Sequence, residues 1–250
     1  MTRLNKFFLL KKYLKRNKVN IMVKTIIFDL DGTLYPEKKF AESGFRAVAE
    51  YVFKQHKISQ NKVFGILFND FKKGIRNKNF NVLLKKIGLE NNNVEKLIKI
   101  YRSHYPKKIV LYPDALKFLK NNNKNFKLGL ITNGHKITQT NKISALSIRK
   151  YFKAIFIATE FGDNDWEKSM ASFNFLLKKI KSKPEETIYI GDNPKRDFMG
   201  AKKMGILTIR IKRKNGDCYN ILANNKNKAN FEVSSLISLN KIIKKIHRVK

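Results

Sequence analysis

The sequence predicts an α/β protein whose parallel sheet is interrupted, just after the first strand, by a helical insert. Two observations predict it. Three short apolar runs, Thr25 to Phe28, Phe126 to Ile131 and Thr187 to Gly191, each stop on polar residues, as strands buried on both faces do. Between Asp31 and Asp114, about 80 residues carry helical periodicity and no strand signal.

The first run ends Phe28-Asp29-Leu30-Asp31-Gly32-Thr33. A buried strand that stops on two acids needs partners for them, because an ionised carboxylate is costly to remove from water. Ligands in open α/β sheets bind at the carboxyl ends of the strands. Gly32 would let the backbone come close to one. The pair therefore suggests a site for a cation and a phosphate; the plainer alternative is a solvated turn.

The insert follows. Phe45, Val48, Ala49, Val52 and Phe53 make one helical stripe, Phe64, Leu67, Phe68 and Phe71 a second, and Val94, Leu97, Ile98 and Tyr101 a third. These stripes read as core. Arg46, Arg76 and Arg102 are candidates for substrate contact, against the simpler role of surface arginines.

The second run ends in Thr132-Asn133-Gly134, a hydroxyl, an amide and a turn glycine. Lys168 then opens a helix whose apolar face is Phe173, Leu176, Leu177 and Ile180. The third run ends Gly191-Asp192, followed by Asn193-Pro194-Lys195-Arg196-Asp197. Pro194 fits the first turn of a helix with Phe198, Ala201 and Met204 on its apolar side and Gly205 as its C-terminal cap. Three strand ends and one helix start thus offer carboxylates, a hydroxyl, an amide and an ammonium. Such a set would hold a divalent metal and a phosphate together.

Taken in order, Phe28-Asp29-Leu30-Asp31-Gly32-Thr33-Leu34-Tyr35, Ile131-Thr132-Asn133-Gly134, Lys168 and Ile190-Gly191-Asp192-Asn193-Pro194-Lys195-Arg196-Asp197 resemble the four motifs of the haloacid dehalogenase-like hydrolases. The resemblance runs over roughly residues 23 to 246 and includes Gly200-Ala201-Lys202-Lys203-Met204-Gly205-Ile206. One departure stands out. The lysine motif usually reads Lys-Pro shortly after Phe-Gly, whereas Phe161-Gly162 is here followed by Asp163 to Glu167 before Lys168-Ser169. The resemblance implies a Rossmann-like core, residues 22–35 and 113–250, with a helical cap over 36–112. Caps of this family close over the site and exclude water. An acid at Asp31 sets the phosphatases and phosphomutases apart from the metal-free dehalogenases that name the family.

The expected chemistry is hydrolysis of a small phosphate monoester with Mg²⁺. Asp29 would attack phosphorus and form an aspartyl-phosphate, splitting one hard step into two. Asp29, Asp192 and the backbone carbonyl of Asp31 would bind the metal. The Asp31 side chain would protonate the leaving alcohol and then activate water. Thr132, the Asn133 N–H and Lys168 would hold the phosphate oxygens, while Gly32 and Asp197 support the site, Asp197 by orienting Lys168 or a metal-bound water. A phosphomutase of the same fold is the nearest alternative, and a catalytically silent nucleic-acid-binding protein a more distant one.

Composition bears on partners. With 54 Lys and Arg against 19 Asp and Glu, the formal charge is +35. A field of that size would draw nucleic acid or anionic lipid. The basic residues are nevertheless spread over every predicted helix, and Lys, Asn, Ile and Phe recur throughout. Compositional drift accounts for this, so nucleic acid is not the expected partner; the small anionic phosphorylated metabolite is. Cys218 alone excludes an internal disulfide and suggests a reducing, cytoplasmic setting. His56, His104, His135 and His247 show no metal-ligand spacing, and His135 reads as a helix-start residue. Residues 1–21 form a basic leader, too short in its apolar run for a membrane span. Leu4, Phe7, Phe8 and Leu14 make an amphipathic helix on a membrane surface, or translation starts at Met22, with a disordered tail as the third alternative.

Overall fold

The computed structural model describes residues 22–75, 78–158 and 168–247. The leader, Arg76, the Phe161-to-Glu167 loop and the His247 side chain lie outside what is described. The described elements, in order, are β1 (Thr25–Phe28), α1 (Glu37–His56), α2 (Gln60–Lys72), α3 (Asn79–Lys86), α4 (Val94–Ser103), α5 (Pro113–Asn122), β2 (Lys127–Thr132), α6 (Lys136–Ala145), β3 (Ala154–Ile157), α7 (Met170–Ile180), β4 (Thr187–Gly191), α8 (Met199–Lys203), β5 (Leu207–Ile211), β6 (Phe231–Val233) and α9 (Ile237–His247).

All strand pairs are parallel, in the order β3-β2-β1-β4-β5-β6. Every residue of β1, β4 and β5 is buried, so these strands are covered on both faces. Chain direction across the sheet reverses at β1: β2 and β3 extend to one side, β4 to β6 to the other. The carboxyl ends of β2, β1 and β4 therefore lie side by side at a switch point, where α/β sheets place ligands. Phe173, Leu176, Leu177 and Ile180 of α7 pack with Ile27, Ile131 and Tyr189 in one buried cluster, as their spacing predicts.

The chain forms two compact units: 22–37, 110–134 and 147–247 make one, and 38–109 with 135–146 make the other. The second is helical, with Phe45, Val48, Ala49, Val52, Leu67, Phe71, Leu97 and the α3 residues Phe80, Leu83 and Leu84 in its core. Phe53, assigned to a core stripe by its spacing, is instead 42% exposed. It sits at the far end of α1, one position past the buried face. The helical unit also takes in α6, which the sequence places in the sheet domain. Hydrogen bonds explain why: Thr138 Oγ1 donates to Arg102 O at 2.8 Å, and Asn141 Nδ2 donates to Ser103 O and His104 O at 3.0 and 3.2 Å.

The expected helix from Pro194 is shorter than its apolar pattern. Residues 193–198 form a turn, and α8 begins only at Met199. Side chains satisfy backbone donors within this turn. Asn193 Oδ1 accepts from Lys195 N at 3.0 Å, and Asp197 Oδ2 accepts from Asn193 N at 2.8 Å. Phe198 and Ala201 are buried as predicted, and Gly205, at φ +77°, follows the helix end.

A part-buried ion pair ties the sheet unit together. Arg213 Nη1 donates to both oxygens of Asp114 at 2.8 and 2.7 Å, and its Nε and Nη2 donate to Thr33 O at 3.3 and 2.8 Å. Ser235 Oγ and Leu236 N also donate to Asp114. Burial alone would raise the Asp114 carboxyl, but these donors outweigh it and hold it below its ordinary value. The pair thus stabilises the fold above the carboxylate range and ceases to do so as pH falls through it. Asp114→Ala, which strands Arg213, should cost about 3 kcal/mol near neutral pH by denaturant unfolding. The gap between variant and parent should narrow in acid, where Asp114 is protonated in both states; a constant gap would contradict this account.

Candidate active site

The two acids after β1 face different surroundings. Asp29 is buried, and its N–H donates to Ile190 O at 2.8 Å, which carries the β1–β4 pairing one residue further. Its Oδ1 lies 2.8 Å from Lys168 Nζ, and its Oδ2 accepts from Thr33 Oγ1 at 3.1 Å. Asp31 is half-buried, and one of its oxygens accepts from the Tyr35 hydroxyl. Gly32 makes this geometry feasible. It takes φ +71°, and a Cβ there would lie 2.2 Å from an Asp192 oxygen.

Lys168 stands two residues before α7, whose cap is Ser169, the Oγ accepting from Ser172 N at 3.3 Å. Its buried ammonium bridges Asp29 and Asp197, at 2.5 Å from Asp197 Oδ1. Burial by itself would lower the Lys168 pKa; the two carboxylates prevail and raise it well above the usual lysine value. The lysine is thus held as a cation.

Asp192 follows β4 and is buried. An oxygen from each of Asp29, Asp192 and Asp197 lies within 4.8 Å of the other two. Among the described residues, the ammonium touching this cluster is Lys168, so the carboxylates are in surplus. Burial is the main reason that Asp29 is pushed up to about 7, with Lys168 opposing and Asp197 and Asp31 reinforcing. Asp192 is raised well above the carboxylate range by burial, then by Asp197 and Asp29. A cluster of hard oxygen donors that repel one another fits a small divalent cation.

Thr132, the last residue of β2, is fully buried, and its Oγ1 has no hydrogen-bond partner among the described residues. A buried hydroxyl without a partner costs about 1–3 kcal/mol. A ligand oxygen would relieve that cost. Asn133 and Gly134 continue from it into the loop.

Several residues around the site escape a reading of the sequence. Arg210 Nε donates to Asp192 O at 3.2 Å and Nη2 to Cys218 O at 2.6 Å. Cys218 hydrogen-bonds Asp192, and burial with that carboxylate holds its thiol protonated. An arginine inside the apolar run Leu207-Thr208-Ile209-Arg210-Ile211 was the available signal, because a buried charge is the informative exception. The exposed Arg46 guanidinium lies 4.3 Å from the Phe64 ring centroid, and Arg102 is exposed. His104 Nδ1 is 2.6 Å from Tyr101 O, and His135 precedes α6. No helix among the described residues is long and apolar enough to cross a membrane.

The model of the family described as "Haloacid dehalogenase-like hydrolase" matches residues 26–211. The chain belongs to that family. It is 30% identical over 200 residues to the glyceraldehyde 3-phosphate phosphatase of Methanopyrus kandleri, covering 77% of this chain and 85% of that one. Against the enzyme of the same name from Methanocaldococcus jannaschii it is 33% identical over 196 residues, covering 76% and 85%. Among solved structures, the HAD-hydrolase YfnB of Bacillus subtilis, bound to magnesium, superposes with a TM-score of 0.64 at 23% identity. It covers 88% of this chain and 98% of that one.

Proposed function

We propose that this member of the family is a Mg²⁺-dependent phosphatase acting on a small phosphate monoester, with Asp29 as nucleophile. The observation that carries this reading is the buried Asp29 carboxylate, held by Lys168 and Thr33 within a surplus of negative charge. Asp29, Asp192 and the Asp31 carbonyl would hold the cation, whose part is to offset the charge of the phosphoryl group and the carboxylates.

This chain's residues do the rest. An Asp29 oxygen bonds to phosphorus as the bond to the substrate oxygen breaks, and Asp31 gives that oxygen its proton. Lys168, the Thr132 hydroxyl and the Asn133 N–H hold the phosphoryl oxygens. Asp197 keeps Lys168 in place. Asp31, now a carboxylate, takes a proton from water, which attacks phosphorus and frees Asp29 and inorganic phosphate.

The relatives support a substrate class. Glyceraldehyde 3-phosphate, named for both relatives, is the first candidate. Phosphate release should be measured over a panel of glyceraldehyde 3-phosphate, hexose phosphates, phosphoglycolate and nucleotides, with Mg²⁺ present. The expected result is one free phosphate per ester consumed, with the highest kcat/KM on a three-carbon substrate. Phosphate moving to a second hydroxyl without release would favour a phosphomutase; no turnover of any ester would overturn the reading.

A further inference from the structure

We infer that Tyr35 is a positioning residue that fixes the Asp31 carboxylate for proton transfer. The inference rests on the acid–base role proposed above for Asp31. Tyr35 is fully buried, and its hydroxyl donates to Asp31 Oδ1. A buried phenol needs a partner for its O–H, and this one is directed at the carboxylate that would move the proton.

The backbone builds the contact deliberately. A spacing of four residues brings side chains together in a helix, but residues 31–35 are not helical. Here the left-handed Gly32 turns the chain, Gly32 N donates to Tyr35 O at 3.1 Å, and Leu34 N donates to Leu30 O at 3.0 Å. Asp31 and Tyr35 then lie side by side as a bridge. Arg213, through Thr33 O, and Tyr112 N, through Leu34 O at 2.9 Å, hold the same turn from outside. The loop is fixed at four points, so the phenol cannot drift from the carboxylate without dismantling the turn.

The chemical consequence is orientation. Asp31 is only half-buried, and a free aspartate there would sample several rotamers. The hydrogen bond from Tyr35 to Oδ1 sets the orientation of the carboxylate that exchanges the proton. A carboxylate already aligned avoids the entropic cost of alignment in each half of the reaction.

Tyr35→Phe tests this by removing one oxygen and leaving the ring in place. With glyceraldehyde 3-phosphate, or the alkyl phosphate that the panel favours, kcat should fall roughly 10-fold, the worth of one charge-assisted hydrogen bond. KM and the Mg²⁺ concentration for half activity should stay within about 2-fold, since the hydroxyl bonds the Asp31 side chain and not the backbone carbonyl that would hold the cation. The decisive arm is a double-mutant cycle with Asp31→Asn. In that background Tyr35→Phe should change kcat less than about 2-fold, because the carboxylate it positions is gone. An equal loss in both backgrounds would mean that the hydroxyl only supports the fold, and the inference falls. A Tyr35→Phe enzyme with parental kcat overturns it as well. If Asp31→Asn is itself silent, the acid–base reading fails and takes the inference with it, an outcome distinct from the other two.

Discussion

Asp29→Asn is expected to abolish phosphate release, a loss on the order of 10⁴-fold or more, as when other covalent nucleophiles are removed. The amide is nearly the same shape as the carboxylate, so the effect is chemical. It is a poor nucleophile toward phosphorus and a weak ligand for a hard cation. Stability should respond in the opposite direction. Asp29 is a carboxylate pushed up to about 7 chiefly by burial, with repulsion from Asp197 and Asp31 adding to it. Removing that charge relieves Asp192 and Asp197, while Lys168 keeps Asp197 as its partner. The variant should therefore melt no lower than the parent. Mass spectrometry of enzyme quenched during turnover should find one added phosphoryl group on the parent and none on the variant. Near-normal turnover by Asp29→Asn would refute the nucleophile assignment.

Much of this was legible in the sequence because strand-end chemistry is local. The run Thr25 to Phe28 forms β1 with the expected bounds, and Thr187 to Gly191 forms β4. Parallel strands buried on both faces advertise themselves as apolar runs, and the residue that follows each is where a ligand would meet the chain. Asp29, Thr132, Lys168, Asp192 and Asp197 all belong to the sheet-bearing unit. What the sequence hid depends on long-range pairing. Nothing near Arg213 in the chain announces that it holds Thr33 and Asp114, which lie 180 and 99 residues away. The α6 helix likewise follows a sheet strand yet packs with the insert, through carbonyls that no periodicity reveals. The short α8 failed for a different reason. Asn193 and Asp197 side chains bond backbone N–H groups of the 193–198 turn, local contacts that an apolar stripe does not register.

Removing divalent metal is expected to have the second large effect. Chelator should bring phosphate release to background, and Mg²⁺ or Mn²⁺ should restore it. Ca²⁺ should restore little: it takes more ligands in looser geometry and would draw both Asp29 oxygens into coordination, leaving none to attack. The donor set argues for the requirement independently of activity. Asp29, Asp192 and Asp197 are buried within 4.8 Å of one another, and Lys168 supplies one compensating charge. A cation that binds this cluster in the folded chain alone must stabilise it, by about 2.7 kcal/mol at a concentration 100 times its Kd. Mg²⁺ should therefore raise the melting temperature of the substrate-free protein. Asp192→Ala should shrink that rise and increase the Mg²⁺ needed for half activity by roughly 10- to 100-fold, the scale seen even for residues one layer outside a metal. The two measurements separate the causes of failure. A thermal shift without restored activity would leave the site a metal site and dismiss the phosphatase chemistry. Full turnover in chelator would dismiss the metal, and with it the reason for three buried carboxylates to share so small a space.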